Sequence, residues 1–128
     1  MILGIGTDIV SVPRMAGNIE KHGDAFAERV LAGCELEEYQ QTRHKASYLA
    51  KRFAVKEAAA KALGTGFAEG VTWRHIFTDH DEQGKPLLVL TDEALRRARD
   101  MGVNRHHLSV SDEKEHAVAF VILEGAAV

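Results

Sequence analysis

The sequence predicts an α+β fold: a mainly antiparallel sheet packed against one long helix, with shorter helices around it, in a single domain over residues 1–128. Three observations predict it. A stretch rich in alanine, leucine and lysine, the strong helix formers, occupies the middle of the chain from Ala46 to Gly66. Aliphatic runs of strand length open and close the chain, at residues 2–10 and 118–123. A second pair of strand-like runs flanks the polar turn DHDEQGKP, an arrangement that makes antiparallel neighbours.

Composition bounds what such a domain can do. Its hydrophobic share of 45% and charged share of 27% are ordinary for a soluble protein, and 6% aromatics imply a core of aliphatics and alanine. A chain of 128 residues can bury roughly two-thirds of its unfolded surface without disulfides. The net charge of -3 argues against broad nucleic-acid binding. Cys34 is the only cysteine, which excludes an intrachain disulfide and a cysteine metal cluster, fits a reducing compartment, and reads as a bland small residue. With no signal-peptide pattern and no apolar run near the roughly 18 residues of a membrane span, a cytoplasmic location is expected.

The first strand, ILGIGTDIV, puts Leu3, Ile5, Thr7 and Ile9 on one face and Ile2, Gly4, Gly6, Asp8 and Val10 on the other. Two glycines leading to one carboxylate form a shelf without side chains, suited to close approach of a backbone or a ligand. Asp8 could also cap the next helix, although Ser11 followed by Pro13 already supplies that start. That helix should run to about Lys21 with Val12, Met15 and Ile19 inward and Arg14 outward. Residues 24–32 and 35–43 read as two short helical segments, with Glu28 and Arg29 exposed and no catalytic grouping.

In the central helix Leu49, Phe53, Ala60 and Leu63 make an apolar face, and Gly64 ends it. Phe53, Glu57 and Lys61 fall four apart along one stripe. Beyond it, Trp73, Ile76 and Phe77 mark a strand and Leu87 to Leu90 another; His75, Asp79, His80 and Asp81 lie in a strand end and a solvated turn rather than a metal site. Thr91 caps a structural helix with Leu95 and Met101 inward, stopped at Gly102. The closing hairpin turns near Asp112 to Glu115; His107, Ser109 and Ser111 share one strand face, and the apolar run Val118 to Leu123 reads as a buried central strand.

Two carboxylates therefore stand out, Asp8 at the end of the glycine shelf and Glu57 among alanines. Without a histidine or cysteine partner they suit a hard cation such as magnesium, which is held through one or two carboxylates plus waters and substrate phosphates. Lys61 and the loop Gly64, Thr65 and Gly66 add an ammonium and open amides, the parts that recognise phosphate. The loop follows a helix C-terminus, where the macrodipole disfavours anions, so the positive charge has to come from Lys61 and the ion. On spacing alone, Glu57 and Lys61 read equally well as an exposed pair worth about 0.2–0.5 kcal/mol.

The segments GIGTDIV, LAKRFAVKEAAAKALGTG, GKPLLVL and HLSVSDEKEHAVAFVI together resemble the holo-acyl-carrier-protein synthases, small phosphopantetheinyl transferases. The resemblance spans residues 4–122 and is most specific in the middle segment. It implies transfer of the 4'-phosphopantetheine arm of coenzyme A to a serine of an apo acyl carrier protein, releasing adenosine 3',5'-bisphosphate, with magnesium as the usual cofactor. It implies Asp8 and Glu57 as magnesium ligands. Lys61 and the Gly64, Thr65 and Gly66 loop would then contact coenzyme A phosphates, and His107 and Ser109 would lie near the nucleotide across a subunit boundary. It also implies a homotrimer with active sites between subunits, and docking of the acidic carrier on Arg14, with Arg29 adding to it. The base for the serine stays open between Glu57 and a water on the ion, with the weak basicity of a metal-held carboxylate favouring the water. Asp112, where many relatives carry histidine, and Gly33-Cys34, where threonine often stands, depart from the pattern and bear on coenzyme A affinity and carrier preference. Two other readings keep the fold and change the activity: a non-catalytic module that binds carrier or nucleotide, and a magnesium-dependent phosphohydrolase.

Overall fold

The computed structural model describes residues 1–127. Strand β1 (Ile2–Ser11) leads into helices α1 (Val12–His22), α2 (Ala25–Val30), α3 (Gly33–Gln41) and α4 (Lys45–Leu63). A single 3-10 turn (Trp73–His75) precedes β2 (Ile76–His80) and β3 (Pro86–Leu90), followed by α5 (Asp92–Met101), β4 (Val103–Asp112) and β5 (His116–Gly125). All pairings are antiparallel, and the strands divide between two sheets, β1-β5-β4 and β2-β3. Trp73 lies in the 3-10 turn rather than in the strand expected of it, and β2 starts at Ile76.

Helix α4 packs on the inner face of β1 and β5, with α1 and β2 closing around it. The glycines explain how close it comes. A Cβ at Gly4 would overlap the backbone carbonyl of Ala62, and one at Gly6 the carbonyl of Ala58. The shelf thus admits a helix backbone, not a ligand, and it ends at Asp8 beside that helix. Instead of presenting one apolar face, α4 is buried around most of its circumference, from Leu49 and Ala50 to Ala62 and Leu63, because sheets and helices cover it from several sides. Phe53 and Glu57 are half-buried and Lys61 is exposed, so the predicted stripe is the part left open.

Two charged side chains, Glu35 and Lys56, are fully buried in this core. Lys56 Nζ sits 2.6 Å from Glu35 Oε1, both side chains fully buried, and also donates to the carbonyls of Trp73 and Ile76. The second Glu35 oxygen accepts from the Thr78 amide at 3.3 Å. One buried pair thereby ties α3, α4, the 3-10 turn and β2 together, and both Glu35 oxygens find donors, as burial of charge requires. Residues 24–45 consequently contain a structural constellation that the charge pattern of α3 did not reveal.

The central strand is β5, but it is buried on one face only. Ala117, Ala119, Val121 and Leu123 are buried, whereas Val118 and Phe120 remain 37% and 38% exposed. Register places Ile9 opposite Val118 and Ile5 opposite Ile122, so the outer face of the sheet is apolar as well. Among the described residues no helix is long and apolar enough to cross a membrane.

Candidate functional site

Ser11 caps α1 by accepting the Arg14 amide at 3.2 Å, which leaves Asp8 free of any capping role. Asp8 instead accepts a hydrogen bond from Lys61 Nζ at 2.9 Å, and Lys61 also donates to the Thr7 carbonyl at 3.0 Å. Asp8 and Glu57 line one open cleft of about 440 Å³ whose walls include Arg14, Met15, Phe26 and Phe53. Burial pushes the Glu57 carboxyl up from its ordinary value; the Trp73 indole N–H pulls it back, Asp8 pushes it up further, and Lys61 opposes, the balance remaining upward. The Glu57 carboxyl therefore feels both Asp8 and Lys61, which a merely exposed helix pair would not require.

The residues fit a hard cation. Two carboxylates that repel each other across a cleft gain from a divalent ion between them. Among the described residues no group of three or more histidine, cysteine and acidic side chains gathers at one point, so Asp8 and Glu57 would need water and substrate oxygens to complete a shell. Beside Glu57 the indole nitrogen of Trp73 is buried and makes no hydrogen bond.

The loop after α4 differs from expectation. The Gly64 amide donates to the Lys61 carbonyl at 3.1 Å and the Gly66 amide to the Ala60 carbonyl at 3.3 Å, so two of the three amides close the helix rather than stand open. Gly64, at φ 77°, is the left-handed cap that this ending demands. Arg97 compensates for the lost donors: its Nε donates to the Leu63 carbonyl at 3.2 Å and its guanidinium lies beside Gly64. A cation at the carbonyl end of α4 offsets the negative pole there. On α5 only tertiary structure reveals this, since Arg96, Arg97 and Arg99 are indistinguishable in sequence.

Not every candidate gathers here. His107 and Ser109 stand on β4, on the outer face of the sheet and two strands from β1, where His107 Nε2 lies 3.0 Å from Glu124 Oε1. Arg14 reaches the cleft, whereas Arg29 is exposed on α2 and lines none of it. Asp112 pairs with Ser47 Oγ at 3.2 Å, joining the final hairpin to the start of α4. Cys34 is exposed; burial of its sulfur and the adjacent Glu35 push its thiol up, away from reactivity. In the turn, Asp81 accepts the Gln83 and Lys85 amides at 2.9 Å each.

An α+β chain that opposes two carboxylates across a cleft, with a lysine at their edge, has the parts of a cation-assisted, phosphate-handling enzyme. The profile of the 4'-phosphopantetheinyl transferase superfamily matches residues 4–121. A holo-[acyl-carrier-protein] synthase of Photobacterium profundum is 54% identical over 123 residues, covering 96% of this chain and 98% of that protein. The crystal structure of the Neisseria meningitidis holo-[acyl-carrier-protein] synthase superposes with a TM-score of 0.88 at 47% identity, covering 97% of this chain and 99% of that one. A Bacillus anthracis synthase solved in complex with CoA (3',5'-ADP) superposes with a TM-score of 0.80 at 36% identity, over 98% and 99% of the two chains. The chain belongs to the holo-[acyl-carrier-protein] synthase family of 4'-phosphopantetheinyl transferases. The resemblance carried by its four sequence segments, and the α+β fold expected from them, are borne out.

Proposed function

We infer that this enzyme transfers 4'-phosphopantetheine from coenzyme A to a serine of an apo acyl carrier protein and releases adenosine 3',5'-bisphosphate. The observation that carries the reading is that Asp8 and Glu57 line one cleft, with Lys61 bonded to Asp8 at its edge, in a chain of this family. The serine oxygen forms a bond to the phosphorus bearing the pantetheine arm as the phosphoanhydride P–O bond breaks, and the electron pair leaves on the bisphosphate. The hydroxyl proton leaves to a water in the cleft rather than to Glu57, whose carboxylate is a weak base while it holds a cation.

Asp8 and Glu57 are the residues that would hold magnesium. That ion supplies charge neutralisation and alignment of the diphosphate. Lys61 is placed to hold a phosphate oxygen and to stabilise the leaving group, with Thr65 on the adjoining loop and Arg97 in place of the two amides given to the helix. A transferase needs this charge apparatus; a module that only binds the carrier does not.

The outer face of the sheet supports a homotrimer with sites between subunits. Ile5, Ile9, Val118 and Phe120 expose 59%, 64%, 37% and 38% of their surfaces on one face, an apolar patch of the kind that marks an interaction surface. His107 and Ser109 border that face, so assembly would carry them toward a neighbour's nucleotide rather than their own cleft. Arg14 at the rim, with Arg29 nearby on α2, would draw in an acidic carrier, and this attraction should weaken with salt. We place the enzyme in the cytoplasm, working as one domain, in keeping with its lone unbridged cysteine.

The test is the intact mass of apo carrier protein after incubation with enzyme, coenzyme A and magnesium, beside a sample with chelator. A gain of one phosphopantetheine that chelator abolishes is expected. Hydrolysis of coenzyme A without carrier modification would point to the phosphohydrolase, and no change with coenzyme A still bound to the binding module.

A further inference from the structure

We propose that Trp73 is a positioning residue for Glu57, its indole N–H taking one carboxylate oxygen so that the other turns toward Asp8 for a divalent cation. The inference rests on the magnesium reading above and deepens it by naming what fixes the ligand.

Trp73 is the single tryptophan of the chain. Its Nε1 is buried and makes no hydrogen bond, although a buried polar group left unpaired costs about 1–3 kcal/mol. Such a donor asks for an acceptor, and the acidic side chain on the stretch of α4 that the ring packs against is Glu57, one turn on from Phe53. The ring cannot drift. It is wedged among Phe53, one helical turn before Glu57, with centroids 6.1 Å apart, Phe26 at 6.2 Å and Phe67 at 5.3 Å. Its backbone is fixed as well: Lys56 Nζ donates to the Trp73 carbonyl at 3.1 Å, and Glu35 holds Lys56 in turn.

The step Lys56-Glu57 of α4 thus engages Trp73 twice, through its carbonyl and beside its indole. That arrangement explains why an ion pair of such expense sits directly next to a candidate metal ligand. Carboxylates that ligate metals are themselves oriented by outer hydrogen bonds, and loss of such a partner typically weakens metal binding or activity by about 10- to 100-fold. A tryptophan serving only to fill the core would work as well with phenylalanine, whose ring preserves the wedge and lacks the donor.

The experiment uses Mg²⁺ alone, without coenzyme A. A ¹⁵N-labelled wild-type sample gives one indole cross-peak, and Mg²⁺ should move it with the midpoint found by calorimetry, while Asp8→Ala abolishes the movement. Trp73→Phe should weaken Mg²⁺ binding by about tenfold with an unfolding midpoint close to wild type, and raise the magnesium concentration needed for half-maximal turnover more than it lowers kcat. Mg²⁺ binding that leaves the wild-type indole resonance in place, or Trp73→Phe binding Mg²⁺ as wild type does, would overturn the inference. The first of these needs no variant to fold. A wild-type enzyme that takes up no Mg²⁺ by either method would instead remove the magnesium reading, and the role of Trp73 with it.

Discussion

The ammonium of Lys61 stands 2.9 Å from Asp8 Oδ1, joining residues 53 positions apart across the contact between α4 and β1. The lysine side chain is 54% exposed and the aspartate 19%, so water screens the pair, and it adds no more than about 1 kcal/mol to the fold. In the function proposed above, its role is to place a cation where phosphate charge develops.

Replacing Lys61 with alanine should therefore leave the thermal midpoint within a few degrees of wild type and reduce turnover by about 100-fold or more, as loss of one preorganised donor does elsewhere. Melting curves and turnover on the same preparation check this. A large fall in midpoint would show that the pair serves the fold instead.

Gly6 gives the opposite pattern. A methyl group there meets the backbone carbonyl of Ala58, which no rotamer change can move aside. Gly6→Ala should cost upwards of about 3 kcal/mol, at the top of the range for overpacked cores, and lower the midpoint by about 10 °C in a domain of this size. Gly17→Ala, where added bulk meets open space, serves as the control.

These two positions show what a sequence discloses and what it withholds. The period-two pattern of β1 already placed both glycines and Asp8 on one face, and the four-residue spacing placed Glu57 and Lys61 on one stripe, because local geometry alone determines such alignments. What occupied the shelf was not local: only packing shows that the helix backbone fills it. For the same reason Glu35 read as one of several acids in α3, and Arg97 as one of several basic residues in α5. The run from Val118 to Leu123 looked like a strand buried on both faces, since an apolar sequence cannot say whether its second face meets this chain or another. In sequence Trp73 reads as a strand residue because its aromatic character outweighs the turn around it.

The buried pair should behave as a unit. Glu35→Leu or Lys56→Met alone strands a charge in the core and should destabilise by about 3–5 kcal/mol, whereas the double variant Glu35→Leu with Lys56→Met should lose less than the sum of the two. Urea unfolding of the three variants measures this, and additive losses would show that the two side chains are uncoupled.

Phe120→Asp places a charge in the middle of the exposed apolar face without entering the core below it. Sedimentation should show a smaller species with unchanged circular dichroism. Turnover should fall with assembly if His107 and Ser109 act on a neighbour's substrate, and a monomer with full activity would return the whole site to one chain.

Glu57→Gln separates the two demands made on that carboxyl. Burial raises its folded pKa above the unfolded value, so the protein binds this proton more tightly when folded. The stability that follows is present in full below the ordinary carboxylate pKa and is lost as pH rises through the raised folded value. At neutral pH the wild type therefore carries a partly desolvated charge that glutamine lacks, and Glu57→Gln should unfold at higher urea concentration. The advantage should shrink on acidification, as wild-type Glu57 becomes neutral too. Because the group is only half-buried, solvent screens it and the gain is a modest one. Magnesium should reverse the order: it binds only the folded site, so it should raise the wild-type midpoint at neutral pH and leave that of Glu57→Gln where it was. A variant less stable than wild type at neutral pH without magnesium would mean that the Glu57 carboxylate supports the fold, and that its position in the cleft is no compromise between stability and ion binding.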